Sequence, residues 1–273
     1  MKVENKNMLD LYEKQGFCIV DFDNVLPLKQ AQAMLNKQLK ELTSNDNICL
    51  DNYHEFITDN NHENIQWKLS NFFWDQNLCK LIALQQINIL KNFIGYDILI
   101  QERPFLRIAR PNKTSDNIGF HRDTLYGQSP YEVAVHVPLV DLDLQSCLRF
   151  LPYSHTDPES KYKINDIIEN IVVKGSKKHE MGHPYAPKKS KIDNNLMLPQ
   201  PLKLGQAVIF PPSTMHGQEI NLAEKTRFSY DFRIVSPYAP INIRKDFSSR
   251  GYTELNKSVV TKVAEKYHKS NTL

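Results

Sequence analysis

A chain of 273 residues, 41% hydrophobic and 24% charged, has enough apolar material for a sizeable core. Its net charge of +3 is too small an imbalance for a dedicated nucleic-acid binder. The four cysteines, Cys18, Cys49, Cys79 and Cys147, lack the CxxC spacing of a zinc or thiol redox motif, and fit free thiols in a reducing compartment. No window approaches the ~18 apolar residues of a membrane span, and the N-terminus has no signal-type apolar stretch. A cytoplasmic protein with no nucleic-acid or membrane partner is expected.

The first 96 residues read as mainly helical support. A short helix over Leu9–Gln15 ends at Gly16, and Phe17–Phe22 (FCIVDF) suits a strand. From Pro27 to Thr43, Ala31, Met34, Leu35, Leu39 and Leu42 recur at the three- and four-residue steps of an amphipathic helix. Ser44–Asn64 is rich in Asn and Asp and reads as loop. Leu78–Phe93 reads as a second helix, closed near Gly95.

Near residue 97 the texture changes to short β-rich runs punctuated by Pro, Gly and Asn. Candidate strands are Ile98–Ala109, Ile118–Arg122, Tyr131–Leu139, Cys147–Leu151, Gln206–Phe210 and Thr226–Val235. Between them lies a polar insert over 155–200, of the kind that serves as a lid or mobile segment. Its basic run, Lys174 to Lys191, suits a solvated loop better than a site for an anionic group. Residues 241–273 read as a helical tail, with a peripheral helix over Glu254–His268. The whole chain, 1–273, reads as one domain, with helices first and then a β core over 97–240 in a barrel or sandwich.

His121 and Asp123 sit in GFHRDTLYG. In an extended segment, residues two apart point to the same side, so an imidazole and a carboxylate so placed can grip one metal ion. Alone the pair is weak, since a turn His beside an unrelated Asp is commoner. His216, in VIFPPSTMHGQ just after an apolar run, is a candidate third ligand. Two His and one carboxylate mark non-haem Fe(II) oxygenases, because co-substrate and O₂ need the vacant positions. Eleven residues on, alternation in TRFSYDFRIV puts Arg227, Ser229, Asp231 and Arg233 on one face, and Phe228, Tyr230, Phe232 and Ile234 on the other. The polar row fits either a solvated sheet face or a guanidinium and hydroxyl that grip a dicarboxylate.

The chain resembles the phytanoyl-CoA-dioxygenase-like family of 2-oxoglutarate oxygenases in four ordered segments: LYEKQGFCIVDFDNVLP, GFHRD, CLRFLPYSH and LKLGQAVIFPPSTMHGQEINLAEKTRFS. The resemblance implies a double-stranded β-helix (jelly-roll, cupin-like) core with N-terminal helices. It implies Fe(II) on His121, Asp123 and His216, with Arg227 and Ser229 on the distal carboxylate of 2-oxoglutarate. It implies O₂-dependent hydroxylation of a small molecule with release of succinate and CO₂. Tyr153 stands where that family more often has Gly, so a different turn is expected there. Arg107 is a candidate for the other end of 2-oxoglutarate, against a salt-bridged strand residue. Tyr126 and His136 are candidate substrate contacts, against packing at the barrel mouth and a core histidine. His155, His179 and His183 are expected to be exposed rather than to form a second metal site. The substrate classes implied are carbohydrates, acyl-CoA thioesters and natural-product intermediates, and the basic insert weakly favours an anion. Two rivals remain on the same fold: a cupin-like metal-dependent isomerase or hydrolase, and a non-catalytic binding protein. His121→Ala and Asp123→Ala are expected to abolish iron binding and leave the fold intact.

Overall fold

Helices fill the first third of the chain and strands most of the rest, as the change of texture near residue 97 requires. The computed structural model describes residues 3–166, 172–184, 188–218, 220–240 and 251–270. Among them the helices are α1 (Val3–Gln15), α2 (Leu26–Thr43), α3 (Tyr53–Phe56), α4 (Asp59–Asp75), α5 (Leu78–Leu84), α6 (Ile87–Ile94), α7 (Lys177–Glu180) and α8 (Val259–Ser270). The strands are β1 (Cys18–Asp21), β2 (Ile98–Gln101), β3 (Phe105–Ala109), β4 (Val133–Pro138), β5 (Arg149–Phe150), β6 (Ile164–Asp166), β7 (Lys188–Ser190), β8 (Leu198–Pro199), β9 (Gln206–Phe210), β10 (His216–Gly217), β11 (Arg227–Val235) and β12 (Tyr252–Asn256). No helix is long and apolar enough to cross a membrane among the described residues.

The larger sheet has the order β1-β9-β4-β11-β2-β12, with β3 also paired to β11, and the smaller has the order β10-β5-β8. Every pairing in both is antiparallel, and together they form the jelly-roll core. Strand alternation decides what each face of β11 does. Phe228, Tyr230, Phe232 and Ile234 join the core that the large sheet shares with the helices. There Tyr53 meets Phe228 edge-on at 5.3 Å and Phe73 packs on Tyr230 at 5.1 Å. A second apolar cluster, Phe17, Ala134, Phe150, Leu202, Val208 and Phe210, draws on both sheets. Each large side chain so buried contributes roughly 1.5–3 kcal/mol.

Tertiary contacts redraw several boundaries. Helix α2 begins at Leu26 and buries Leu28, Ala31, Leu35 and Leu39, with Met34 and Leu42 of the expected stripe partly buried against the core. The expected loop over Ser44–Asn64 instead contains α3 and the first turns of α4. Helix α4 hides its stripe (Ile65, Leu69, Phe73) behind an Asn-rich start. It also pins β3, since Gln66 donates to the Leu106 carbonyl at 3.0 Å and Trp74 to the Pro104 carbonyl at 2.7 Å. The helix expected over Leu78–Phe93 is broken at Gln86, whose buried amide donates to Asn24 O and accepts from Asp23 N. The strand expected over Ile98–Ala109 divides at Glu102–Pro104; both halves pair with β11, and β2 pairs with β12 as well. Ile118–Arg122 is no regular strand but holds one bridge, His121 to His216. The helix expected over Glu254–His268 starts only at Val259, because 252–256 adds strand β12 to the large sheet. The insert carries regular structure where it is described: β6 pairs with β7, and α7 is capped by Ser176. Residues 167–171, 185–187 and 241–250 lie outside the described part.

Candidate metal centre and its cleft

His121 and His216 come together through backbone as well as side chain. The two residues exchange N–H···O bonds of 2.9 and 3.0 Å, which sets their rings 4.6 Å apart. Each ring donates its Nδ1–H to a nearby carbonyl, His121 to Gly119 at 2.8 Å and His216 to Thr214 at 2.9 Å. A carbonyl only accepts, so Nδ1 carries the proton and Nε2 keeps its lone pair. Both Nε2 atoms face Asp123 Oδ1, at 3.4 Å from His121 and 3.9 Å from His216. The three residues are buried and offer ligand atoms within 4.8 Å of one another. Burial, then the neighbouring His121, pushes His216 down to about 4, so both its burial and its surroundings favour the neutral ring a metal ion needs. Burial alone would raise Asp123. Arg233, then His121 and His216, outweigh it and hold the carboxyl well below its usual range.

Two short-range devices hold this corner. The Ser-His segment braces His216 from below: Ser154 Oγ accepts from Met215 N at 2.8 Å and donates to Leu151 O at 2.6 Å. Tyr153 turns there with φ +64°, the left-handed conformation that Gly adopts without cost. Gly217 lies so close to the neighbouring chain that a Cβ would stand 2.2 Å from Gly119 O, the carbonyl that orients His121. Gly217→Ala is therefore expected to cost at least about 2 kcal/mol. A urea-unfolding midpoint equal to wild type would show that the backbone there has room to yield.

A cleft opens beside the three candidate ligands, lined on its apolar side by Ala134, Leu148 and Phe210. Its polar side is the row on β11. Arg227 lines the cleft, is 5% exposed, and donates through Nη1 to Gln218 Oε1. Burial lowers it to about 10, which leaves it cationic at neutral pH. Its Nε is buried without a hydrogen-bond partner, as is the hydroxyl of Ser229, which lies on the same face but does not reach the cleft wall. Asp231 and Arg233 also line the cleft.

The remaining candidates divide. Arg107 reaches the cleft but is tied to Asp231 at 2.9 Å and to Gly182 O at 3.2 Å, the salt-bridged alternative. His136 also reaches it; its Nδ1 is 2.5 Å from Asp231 Oδ1, and its Nε2 is buried without a partner. Burial would raise Asp231, but His136 and Arg107 outweigh it and hold it far below its usual range. Tyr126 packs on the His121 ring at 5.3 Å and is not among the residues lining the cleft. His155, His179 and His183 are half-buried, not exposed, and the only metal-type cluster among the described residues is His121, Asp123 and His216. Among the described side chains of the basic run, Lys174, Lys177, Lys178 and Lys191 do not line the cleft, and Lys178 faces Glu63 at 3.9 Å. Gln218 was not singled out from the sequence, although its place two residues after His216 was a signal. Asn221 is a buried turn former, donating to Ala109 O and Lys225 O at 2.8 Å each.

A charge network backs the cleft. Arg110 grips Asp116 at 2.8 and 2.9 Å, and His62 lies 3.8 Å from that carboxylate with its Nδ1 3.0 Å from Tyr53 Oη. Burial pushes His62 down from 6.5 to about 4. A ring held neutral in the fold stabilises fully above the unfolded value of 6.5, and loses that contribution as pH falls from 6.5 toward 4. The slope approaches about 1.4 kcal/mol per pH unit. Between pH 7 and 4.5, the metal-free wild type is expected to lose roughly 2 kcal/mol more stability than His62→Gln. Parallel losses in chemical unfolding would remove His62 from the acid response.

A jelly-roll with two imidazoles and one carboxylate converging at its cleft defines a protein of the cupin-like architecture with a candidate mononuclear metal site. The chain belongs to the phytanoyl-CoA dioxygenase (PhyH) family, which matches residues 12–229. Among solved structures it is similar to the non-heme monooxygenase ThoJ in its apo form, with 15% identity over 92% of this chain and 84% of that one at a TM-score of 0.59. It is also similar to EvdO2 from Micromonospora carbonacea var. aurantiaca complexed with 2-oxoglutarate, with 15% identity over 86% and 91% of the two chains at a TM-score of 0.52. At these identities the likeness establishes the fold. No curated protein matches the chain.

Proposed function

We propose that this protein is an Fe(II)- and 2-oxoglutarate-dependent oxygenase that hydroxylates a small molecule. One observation carries the reading: three ligand atoms within 4.8 Å of one another stand in the same cleft as a buried guanidinium with an unpartnered Nε. The donor set fits a first-row divalent ion, since two neutral imidazoles and one carboxylate leave the rest of the coordination sphere to co-substrate and O₂. The far wall fits a dicarboxylate, since a carboxylate at Arg227 would satisfy a buried donor that is costly to leave unpaired. EvdO2, of the same fold, is known in complex with 2-oxoglutarate. Bound together, iron and 2-oxoglutarate supply the oxidation, consuming O₂, releasing succinate and CO₂, and delivering a hydroxyl to the substrate.

The chain's own part is binding, orientation and exclusion of water. His121 and His216 present lone pairs because Gly119 and Thr214 take their Nδ1 protons. Gln218 fixes Arg227, which brings a permanent charge to the co-substrate end of the cleft. Ala134, Leu148 and Phe210 keep the reacting region apolar. His136, held by Asp231, lines the cleft with an Nε2 that has no hydrogen-bond partner among the described residues, and is the favoured substrate contact. Candidate substrates are a carbohydrate, an acyl-CoA thioester or a natural-product intermediate.

The test is conversion of 2-oxoglutarate to succinate by the Fe(II)-loaded protein under air. Slow turnover without substrate, abolished by a chelator, is expected. Tight iron binding with no succinate would favour the isomerase or hydrolase on the same ligands.

A further inference from the structure

A carboxylate can bind a metal ion through one oxygen or two, and the two oxygens of Asp123 have different surroundings. Oδ1 is the one that faces both imidazole Nε2 atoms, at 3.4 and 3.9 Å. Oδ2 is taken by Arg233 Nη2. Arg233 comes from the far half of β11, 110 residues away in sequence, and both partners are almost wholly buried, at 5% and 4% exposed. A guanidinium in that position is expensive to bury unless it is bound closely. Among the described residues its Nε and Nη1 have no hydrogen-bond partner, and its one hydrogen bond there is the one to Asp123.

The surroundings hold Arg233 in place without competing for that contact. The Phe105 ring lies under the guanidinium at 5.2 Å. Glu132, also buried, supplies a second negative charge and is itself bonded by Tyr252 of β12. Arg107, also on this wall, is engaged by Asp231, and Arg227 by Gln218. Arg233 is therefore dedicated to the metal-ligating carboxylate.

We infer that Arg233 is a positioning residue that fixes Asp123 as a one-oxygen ligand. The inference rests on the reading of His121, Asp123 and His216 as a metal site that takes a chelating co-substrate. Three single-point donors leave half of an octahedral sphere open, which is what a two-point chelate and O₂ together require. If Oδ2 also reached the ion, one of those positions would be lost. A carboxylate whose outer oxygen is held by a buried cation cannot turn to offer it.

The probe is Co(II), whose visible ligand-field absorption reports coordination. Apo wild type, Arg233→Met and Arg233→Met/Glu132→Gln are titrated with Co(II), and then with 2-oxoglutarate. The double variant also removes the carboxylate that the single variant would leave buried without a cation, so either folded variant decides. Wild type is expected to bind one Co(II). The variants should keep Co(II) affinity within about tenfold, change its absorption spectrum, and bind 2-oxoglutarate at least about tenfold more weakly. A folded variant with the wild-type spectrum and wild-type 2-oxoglutarate affinity overturns the inference alone. Wild type that binds no Co(II) overturns the metal-site reading and the inference with it.

Discussion

His216→Ala is expected to lower Fe(II) affinity by more than about a hundredfold and reduce succinate formation to background, since loss of supporting residues alone costs ten- to a hundredfold in such sites. The effect is expected to be large because His216, the proposed ligand, is also scaffold. Its Nε2 is one of three converging donors, and its backbone pairs with that of His121. The backbone pairing survives truncation to Ala, so the variant should still fold, with a loss of packing against Phe150 and Phe210. Equilibrium dialysis against Fe(II) under anaerobic conditions checks this, and wild-type affinity in a folded variant would remove His216 from the site. Asp123→Ala is a poorer test than the sequence suggests. It would leave Arg233 buried without its carboxylate, an imbalance that costs about 3–5 kcal/mol, so the fold is not expected to be left intact.

The second large effect is expected at Arg227. Arg227→Ala should raise the 2-oxoglutarate requirement by roughly thirty- to a hundredfold, the loss of about 2–3 kcal/mol from a charged hydrogen bond in a buried setting. Iron binding should change little, because Arg227 contacts Gln218 and none of the three ligands. The separation of the two effects is the informative part. A variant that loses iron and 2-oxoglutarate together would mean that Arg227 supports the fold of the cleft. Unchanged 2-oxoglutarate dependence would mean that the buried guanidinium serves structure alone. Arg227→Lys should recover only part of the affinity, since an ammonium keeps the charge but not the planar pair of donors.

The parts of this site that were legible in sequence are those set by short-range geometry. A His and an Asp two apart announce themselves in GFHRD, and period-two alternation separates the polar row of β11 from its apolar one. The structure sends Arg227, Asp231 and Arg233 of the polar row to the cleft and the apolar row to the helix-backed core. What sequence could not supply was which of the polar residues meet. Arg233 finds Asp123 across 110 residues, and His136 finds Asp231 across 95. Such pairings depend on how the strands cross, and no local pattern encodes them. The same holds for the fold. Helix α4 was hidden because its start is Asn-rich, and only the packing of Ile65, Leu69 and Phe73 reveals why it forms. The break between α5 and α6 follows from Gln86 bridging to the loop after β1, a contact that periodicity cannot anticipate.

The most direct test of the account is an anaerobic titration of the apo protein with Fe(II) and then 2-oxoglutarate, followed through the weak visible absorption of the iron–2-oxoglutarate chelate. The band is expected in wild type and absent in His216→Ala. Iron bound to wild type with no band on adding saturating 2-oxoglutarate would contradict the account, and would leave a metal site of another chemistry on the same fold.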